Sequence, residues 1–357
     1  MSPHTDRRPR RLRPAAKEWL AHLADPLARA PRPTHPLRAS DPTALLAAAD
    51  RHGVLPAVIR AIASLAAGCT AGPAVNGLAG ALVTARANAA LQAGFGLMLR
   101  HHGKRATKAF EAQSIEGAVV KGAVVAERLY CDASLRTFTD IDVLVEAAHR
   151  ARTADVMRGL GFELFTFGDR LGKDYEEDKW LLKDEPRAMV EVHTNLVHSP
   201  KLRASMSVGY QDVLDAGDGD CAAPTALLFV AAAHAAIGHQ FDRLQQLVDI
   251  VQAARGAAGP IDVERLRRVC GRAGVLLAVV TAIELAGRTF GELRCTDLAR
   301  RLDPAYARCW RRLLVTPGVV VSAQTPERAL GSWRRKLYRQ CLGWSRRGHS
   351  DTAGSRR

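Results

Sequence analysis

The chain has 357 residues, of which 47% are hydrophobic and 24% are charged, a balance typical of folded globular proteins. This composition excludes collagen, wholesale disorder and a small disulfide-bonded scaffold, and the length predicts more than one structural region. The net charge of +15 is concentrated at the ends, because residues 1–40 hold nine Lys and Arg against three Asp and Glu, and residues 326–357 hold nine against two.

Each basic end allows two interpretations. It is either a solvated, partly disordered extension or an electrostatic contact for nucleic acid or another polyanion. The seven cysteines include no Cys-x-x-Cys pair and are expected to be reduced thiols. The first thirty residues lack the apolar segment of a secretory signal, and no apolar run approaches the roughly 18 residues that cross a bilayer. We therefore expect a soluble cytoplasmic protein without a membrane segment.

The first third of the chain predicts helices. Residues 1–40 are expected to form a loose basic leader with a short helix near residues 17–27. Asp41 is a suitable N-cap and Pro42 a suitable first-turn residue, so together they predict the start of the next helix. After a glycine break, Ala- and Leu-rich segments continue as one long or two shorter helices to the end of an N-terminal helical region, residues 41–114.

A small core of strands and helices is expected at residues 115–200. Apolar or alternating runs predict five strands, near residues 116–120, 140–145, 162–167, 179–183 and 188–193. Residues 201–325 return to helical spacing. The basic tail, residues 326–357, includes a helix near residues 327–342. The predicted fold class is α+β, a small mixed sheet core flanked by N- and C-terminal helical regions.

Two acids lie on the second predicted strand. Side chains two residues apart on a strand project from the same face, so Asp140 and Asp142 would lie side by side while Ile141 and Val143 face the core. Two carboxylates that close repel each other unless a cation or a proton lies between them. They are either an acidic pair at a solvated strand edge or ligands of a divalent metal ion, because carboxylate oxygens suit Mg²⁺ and Mn²⁺.

A third acid, Glu191, lies between apolar residues on the last predicted strand. A buried carboxylate needs a partner, so Glu191 is either a third metal ligand or an acid paired with an arginine. Beside Asp140 and Asp142 it would complete a cluster that can hold two metal ions for phosphoryl transfer. His193 would share its face, and either orients that carboxylate or a substrate or is a core histidine. A lysine or arginine head group between the three acids would leave no room for a cation.

The remaining polar motifs of the sequence do not predict a further catalytic or metal-binding site. His234 and His239 are five residues apart and are therefore predicted to lie on different helical faces, not as a metal-binding pair. The acidic segment near residues 169–178 is expected to be a solvated loop. The sequence contains no Walker phosphate loop, no Gly-x-Gly-x-x-Gly and no Gly-x-Ser-x-Gly.

These motifs resemble the nucleotidyltransferase superfamily that includes DNA polymerase β, and within it a bacterial family of uncharacterised nucleotidyltransferases. The superfamily has a glycine turn, an Asp-x-Asp strand and a third acid on a later strand. The family typically has a Lys-Gly turn, an Arg before the Asp-x-Asp strand and a Glu-x-His strand. The matching residues here are Lys121-Gly122, Arg136, Asp140-Ile141-Asp142 and Glu191-Val192-His193. The resemblance extends over roughly residues 45–290. This sequence departs from the family pattern at Ala123, where many relatives carry a serine that contacts phosphate.

The resemblance implies an NTP-dependent nucleotidyltransferase. Such an enzyme would use Mg²⁺ or Mn²⁺, move a nucleoside monophosphate to an unknown small-molecule or protein acceptor, and release pyrophosphate. The implied catalytic and metal-binding residues are Asp140, Asp142 and Glu191. The implied nucleotide-binding residues are Lys121, Gly122 and Arg136.

The nucleotide-binding residues also allow structural interpretations. Lys121 either contacts phosphate or is a solvated turn lysine. Gly122 provides a positive φ, a close phosphate approach, or both. Arg136 either clamps a phosphate with two hydrogen bonds or pairs with Asp132 or Asp140.

Two other classes of function stay open. The chain could be an accessory or binding protein that keeps this fold without catalysis, for which Ala123 is the best support. It could also be a nucleic-acid-binding protein that acts through its basic ends, although the nearly neutral central region supports nucleic acid only weakly as a partner.

Overall fold

The computed structural model describes residues 12–35, 42–67, 79–165, 176–305, 310–322 and 332–344. The α-helices within these ranges are α1 (Pro14–Ala24), α2 (Pro42–Arg51), α3 (Leu55–Ala67), α4 (Ala79–Ala112), α5 (Gly122–Leu129), α6 (Arg150–Gly159), α7 (Pro200–Arg203), α8 (Tyr210–Ala216), α9 (Pro224–Ala233), α10 (Leu244–Ala254), α11 (Val263–Arg272), α12 (Leu276–Phe290), α13 (Leu293–Leu302), α14 (Pro317–Val321) and α15 (Ser332–Trp344). The strands are β1 (Gly117–Val119), β2 (Ile141–Val145), β3 (Phe162–Leu164), β4 (Glu177–Leu182) and β5 (Glu185–His193). The predicted α+β class, with helical N- and C-terminal regions around a small sheet, is confirmed.

The five strands form one mixed sheet in the order β1-β2-β5-β4-β3. β2 and β5 are parallel, and the other neighbouring pairs are antiparallel. All five residues of β2 are buried, and three of them are β-branched, which suits a strand between two neighbours. This topology places the Asp-x-Asp strand directly beside the Glu-x-His strand.

The two faces of the sheet have different neighbours. On one face Ile141, Val143, Val190 and Val192 belong to an apolar cluster that also contains side chains of α4 and α6. The opposite face bears the acidic residues of β2 and β5 and lines a cavity, together with residues that follow α9. The alternation along each strand therefore separates the core from the polar cavity.

The C-terminal helices form most of the larger apolar core. α9 is buried along nearly its whole length, as expected of a helix that is apolar on every side. α10 buries Leu244, Leu247, Val248 and Val251, which recur at helical spacing. Gln245 and Gln246 of α10, together with the turn that follows α9, complete the cavity walls.

The short helix expected in the leader is present as α1, but the expectation that residues 12–35 are loose is wrong. α1 buries Leu20 and Leu23 in the same apolar core as the C-terminal helices. The residue after α1, Asp25, is buried and its Oδ1 lies 2.7 Å from Arg255 Nη1. The apolar face of α1 therefore determines its position, although the surrounding sequence is rich in arginine.

The basic tail is also partly core. In α15, Tyr338, Cys341 and Leu342 are buried with 1% exposure or less. Arg335 on the same helix donates a 3.0 Å hydrogen bond to the carbonyl oxygen of Phe241. The interpretation of the tail as a solvated extension is wrong for residues 332–344.

Some sequence predictions lie outside the described residues. These are the N-cap at Asp41, the glycine break after residue 67, the end of the third predicted strand, and the outer parts of both basic ends. Of the described cysteines, Cys131, Cys221, Cys270 and Cys295 are free thiols. Within the described ranges, the structure contains no helix that is both long and apolar enough to cross a membrane.

Candidate active site

The Asp-x-Asp and Glu-x-His motifs meet on one face of the sheet. Asp142 of β2 and Glu191 of β5 lie opposite each other in the parallel register, so their side chains project from the same face. Asp140 immediately precedes β2 and lines the same cavity of about 550 Å³ as these two acids. The structure therefore brings the three predicted acids together at one cavity.

His193 forms the next row of this face. It lies two residues beyond Glu191 and opposite Glu177 of β4. Its Nε2 lies 2.9 Å from Asp142 Oδ1 and 3.6 Å from Glu191 Oε2, and the side chain is fully buried. The hydrogen bond joins this histidine to Asp142, whereas the sequence predicts that it orients Glu191 or a substrate or is a core histidine.

Two lysine ammonium groups also contact the acids. Lys121 Nζ contacts Asp142 Oδ1, and both side chains are more than nine-tenths buried. Lys179 Nζ contacts Glu191 Oε1 and lies 2.7 Å from Glu177 Oε1. The interpretation of Lys121 as a solvated turn lysine is therefore wrong, and the ion-pair partner of Glu191 is a lysine instead of an arginine.

The charge of the acidic cluster is only partly compensated. Within the described part of the chain, Asp140 has no hydrogen-bond or ion-pair partner. Burial, together with the carboxylates of Asp142 and Glu191, raises the pKa of Asp140 to about 6. Burial and neighbouring carboxylates also raise the pKa of Glu191. Burial opposes ionisation of Asp142 as well, but Lys121 and His193 hold the pKa of Asp142 well below its ordinary value.

Lysine head groups between the acids are expected to leave no room for a cation, and two of them lie on Asp142 and Glu191, so a hard divalent cation fits this donor set only where it displaces them. Carboxylate oxygens are the ligands that Mg²⁺ and Mn²⁺ prefer, and the raised pKa of Asp140 reflects burial first and then like-charge repulsion, which a cation would relieve. A cation would compete with Lys121 for Asp142 and with Lys179 for Glu191. Asp140 needs no such exchange, since in the described part of the chain neither ammonium group forms an ion pair with it.

Gly122 occupies a turn that requires glycine. Its φ is 44°, and a Cβ atom there would lie 3.3 Å from the carbonyl oxygen of Asp140. The carbonyl oxygen of Gly122 accepts a 3.1 Å hydrogen bond from Arg136 Nη1. The predicted positive φ is therefore confirmed.

Arg136 is held in a buried ion pair with Asp249 of α10. Its Nε lies 3.0 Å from Asp249 Oδ1 and its Nη2 lies 2.8 Å from Oδ2. The hydroxyl of Tyr130 donates a 2.6 Å hydrogen bond to the same carboxylate. The predicted pairing with Asp132 or Asp140 is wrong. Arg136 instead connects the turn at Gly122 to the C-terminal helices.

The chain after α9 forms a π-helical turn over His234–Gly238. In such a turn residues five apart are joined, and the N–H of His239 donates to the carbonyl oxygen of His234 at 3.2 Å. The two rings therefore lie with centroids 4.6 Å apart. The prediction that they lie on different faces is wrong because α-helical spacing does not apply here. Both histidines line the cavity, as does Arg243.

Sequence reasoning missed three residues of the site, Glu177, Lys179 and His198. The segment that contains Glu177 is expected to be a solvated loop. Glu177 is instead the first residue of β4, and its side chain is only 10% exposed. The prediction starts this strand at Lys179, two residues late. A period-2 pattern that included both residues would have placed them on one face, facing the Glu-x-His strand.

A glycine turn, an Asp-x-Asp strand and a third acid on the neighbouring parallel strand are the features that define a nucleotidyltransferase-like protein. The sequence comparison agrees with that class. Residues 38–291 match the family described as uncharacterised nucleotidyltransferase, and the chain belongs to this family. Comparisons with curated proteins and with solved structures give no match.

Proposed function

We propose that this protein is a Mg²⁺-dependent enzyme that transfers a nucleoside monophosphate from an NTP to a hydroxyl group of a small molecule or protein. The observation that carries the proposal is the convergence of Asp140, Asp142 and Glu191 on one cavity of about 550 Å³. A cavity of this size suits a ligand as large as a nucleotide. Membership of the nucleotidyltransferase family supports the class of reaction.

The three acids would hold the metal. When bound, a divalent cation at carboxylates stabilises negative charge on the transferring phosphoryl group and lowers the pKa of the attacking hydroxyl. Glu191, whose pKa burial raises, is suited to accept the hydroxyl proton. A bond forms between the acceptor oxygen and the α-phosphorus, while the bond to the bridging oxygen breaks and pyrophosphate leaves with that electron pair.

Lys121 and the start of α5 would bind the triphosphate. A lysine has a flexible four-carbon stem, so Lys121 can exchange the carboxylate of Asp142 for a phosphate oxygen. The first N–H groups of α5 add the positive end of the helix dipole. Ala123 removes a hydroxyl from this turn but keeps its backbone N–H. In this proposal Arg136 positions the turn through Gly122 and Asp249 and does not contact phosphate.

The test is transfer of label from each of the four α-³²P-labelled NTPs, with Mg²⁺ and a cell extract as the source of acceptor. Asp140→Asn is the informative variant, because it removes a charge without breaking a buried ion pair. We expect it to lower both label transfer and pyrophosphate release by at least about 100-fold. Asp155→Asn, which changes an exposed side chain of α6, is the matched control and should keep full activity. Equal activity of the wild type and Asp140→Asn would contradict the proposal.

A second candidate is an accessory protein that binds nucleotide without transferring it. The contacts of Lys121 with Asp142 and of Lys179 with Glu191 favour it, because both would have to be exchanged before the acids could hold a cation. Calorimetric titration with Mg²⁺ and ATP separates the two candidates. Binding without pyrophosphate release, unchanged in Asp140→Asn, would favour the accessory role.

A further inference from the structure

Two histidines and a glutamate form a second group of ligand atoms beside the carboxylate cluster. Glu177 begins β4, His193 ends β5, and His198 follows β5 five residues later. Glu177 Oε2 lies 2.9 Å from His198 Nδ1 and 3.9 Å from His193 Nδ1. Each of the three residues offers one ligand atom, and these ligand atoms lie within 4.8 Å of one another. Neighbouring ligands of a tetrahedral zinc ion are about 3.4 Å apart, so these distances bracket the value that such a site needs.

The Nδ1 atom of His193 is the independent observation that points to a ligand. The side chain is fully buried, and among the described residues this nitrogen has no hydrogen-bond partner. The other ring nitrogen, Nε2, lies 2.9 Å from Asp142 Oδ1. A carboxylate only accepts hydrogen bonds, so Nε2 carries the proton and, in the neutral ring, Nδ1 presents a lone pair towards Glu177.

We propose that Glu177, His193 and His198 bind one divalent transition-metal ion of the Zn²⁺ type. The hydrogen bond from His193 Nε2 to Asp142 is the carboxylate–histidine–metal arrangement that fixes the tautomer of a metal-binding histidine. Lys179 lies on Oε1 of Glu177, which leaves Oε2 to the histidines. Glu177 and His198 also line the cavity, so a fourth ligand position would be open to a water molecule or a substrate atom.

This site differs in chemistry from the three-carboxylate cluster. Imidazole nitrogens favour zinc and neighbouring transition metals, whereas an all-carboxylate set favours Mg²⁺. The inference does not depend on nucleotide transfer, since the ligand set would bind zinc whether or not the protein is an enzyme. His193 connects the two sites, with Nδ1 in one and Nε2 at Asp142 of the other.

The experiment is calorimetric titration of the tag-free, full-length protein with Zn²⁺ in excess Mg²⁺, followed by the visible absorption of the Co²⁺-loaded protein. The wild type is expected to bind one equivalent. His198→Ala should lower the affinity for Zn²⁺ at least about 10-fold and change the Co²⁺ spectrum. Glu177→Gln provides a second variant that keeps the shape of the side chain, and melting curves verify that both variants are folded.

Two control variants locate the ion. His239→Ala removes a histidine from the same cavity outside the group, and Glu191→Gln removes an acid from the neighbouring cluster; both should bind Zn²⁺ within about 3-fold of the wild type. The proposal is overturned if the wild type does not bind Zn²⁺ in excess Mg²⁺, or if His198→Ala and Glu177→Gln bind as the wild type does. It is also overturned if Glu191→Gln loses as much affinity as His198→Ala, because the ion would then lie in the carboxylate cluster.

Discussion

Replacing Lys121 by methionine tests whether the buried acids form a cation site. Methionine keeps the apolar stem of the lysine side chain and removes its ammonium group. Asp142 then loses its ion-pair partner while Asp140 and Glu191 remain beside it. We expect Lys121→Met to be markedly less stable than the wild type without Mg²⁺, and to recover most of that loss when Mg²⁺ is added.

The magnitude follows from the burial of the pair. The side chains of Lys121 and Asp142 are 8% and 7% exposed, so solvent screening is slight. Breaking a buried pair from one side costs about 3–5 kcal/mol. His193 still donates to Asp142 at 2.9 Å, which places the expected loss near the lower end, about 3 kcal/mol. At a free Mg²⁺ concentration of 100 times its dissociation constant, binding would stabilise the folded Lys121→Met variant by about 2.7 kcal/mol.

The assay is urea unfolding of the full-length protein with and without Mg²⁺. Mg²⁺ should raise the free energy of unfolding of the wild type less than that of Lys121→Met, because in the wild type the ion must first displace the ammonium group of Lys121. Lys183→Met is the matched control, since that side chain is 72% exposed and should change the stability by less than about 0.5 kcal/mol. The reasoning fails if Lys121→Met is as stable as the wild type, or if Mg²⁺ stabilises the two proteins equally.

Three further changes have defined outcomes. Gly122→Ala should destabilise the protein by about 1–2 kcal/mol in urea unfolding, because φ is 44° there, and a neutral result would contradict the turn assignment. Asp249→Asn should lower the free energy of unfolding by about 3 kcal/mol in the same assay, because it leaves Arg136 buried without a counter-charge. A loss under about 0.5 kcal/mol would show that the Arg136–Asp249 pair does not hold the turn at Gly122. Burial lowers the pKa of His52 to about 4, so its neutral ring, which accepts from the N–H of Leu244 at 3.2 Å, favours the folded state. The stability that the neutral ring contributes is complete above about pH 6.5, and about 3 kcal/mol of it is lost as the pH falls to 4. His52→Gln should therefore reduce the pH dependence of the free energy of unfolding between pH 6.5 and 4.

The regular elements could be predicted because each buries one face. The spacing of Leu244, Leu247, Val248 and Val251 predicts α10, and the alternation around Asp142 predicts β2. The ends of the chain show the limit of this reasoning. Arginine content suggested solvated extensions, but a few apolar side chains on α1 and α15 were enough to fix those helices in the core.

The acids of the site could be predicted, whereas their partners could not. Asp140, Asp142 and Glu191 stand in short local motifs whose strand spacing is readable. Lys179 reaches Glu191 only because the β4–β5 hairpin has a particular register, and a shift by one residue would move Lys179 to the other face. Arg136 and Asp249 are separated by 113 positions and meet through the packing of α10, which no local pattern encodes.

The lysines at the acidic cluster must be displaced from their carboxylates if those carboxylates are to bind a cation. Three carboxylates in a buried cavity need positive charge, and the chain supplies part of it from Lys121 and Lys179. A site of carboxylates alone would be less stable, so the same lysines that compete with a cation also make the cluster compatible with folding. An NTP would bring a triphosphate that can receive the displaced ammonium of Lys121, which couples nucleotide binding to cation binding. Mg²⁺ should therefore bind more tightly in the presence of nucleotide than alone, and that coupling should shrink in Lys121→Met, where no ammonium group has to move.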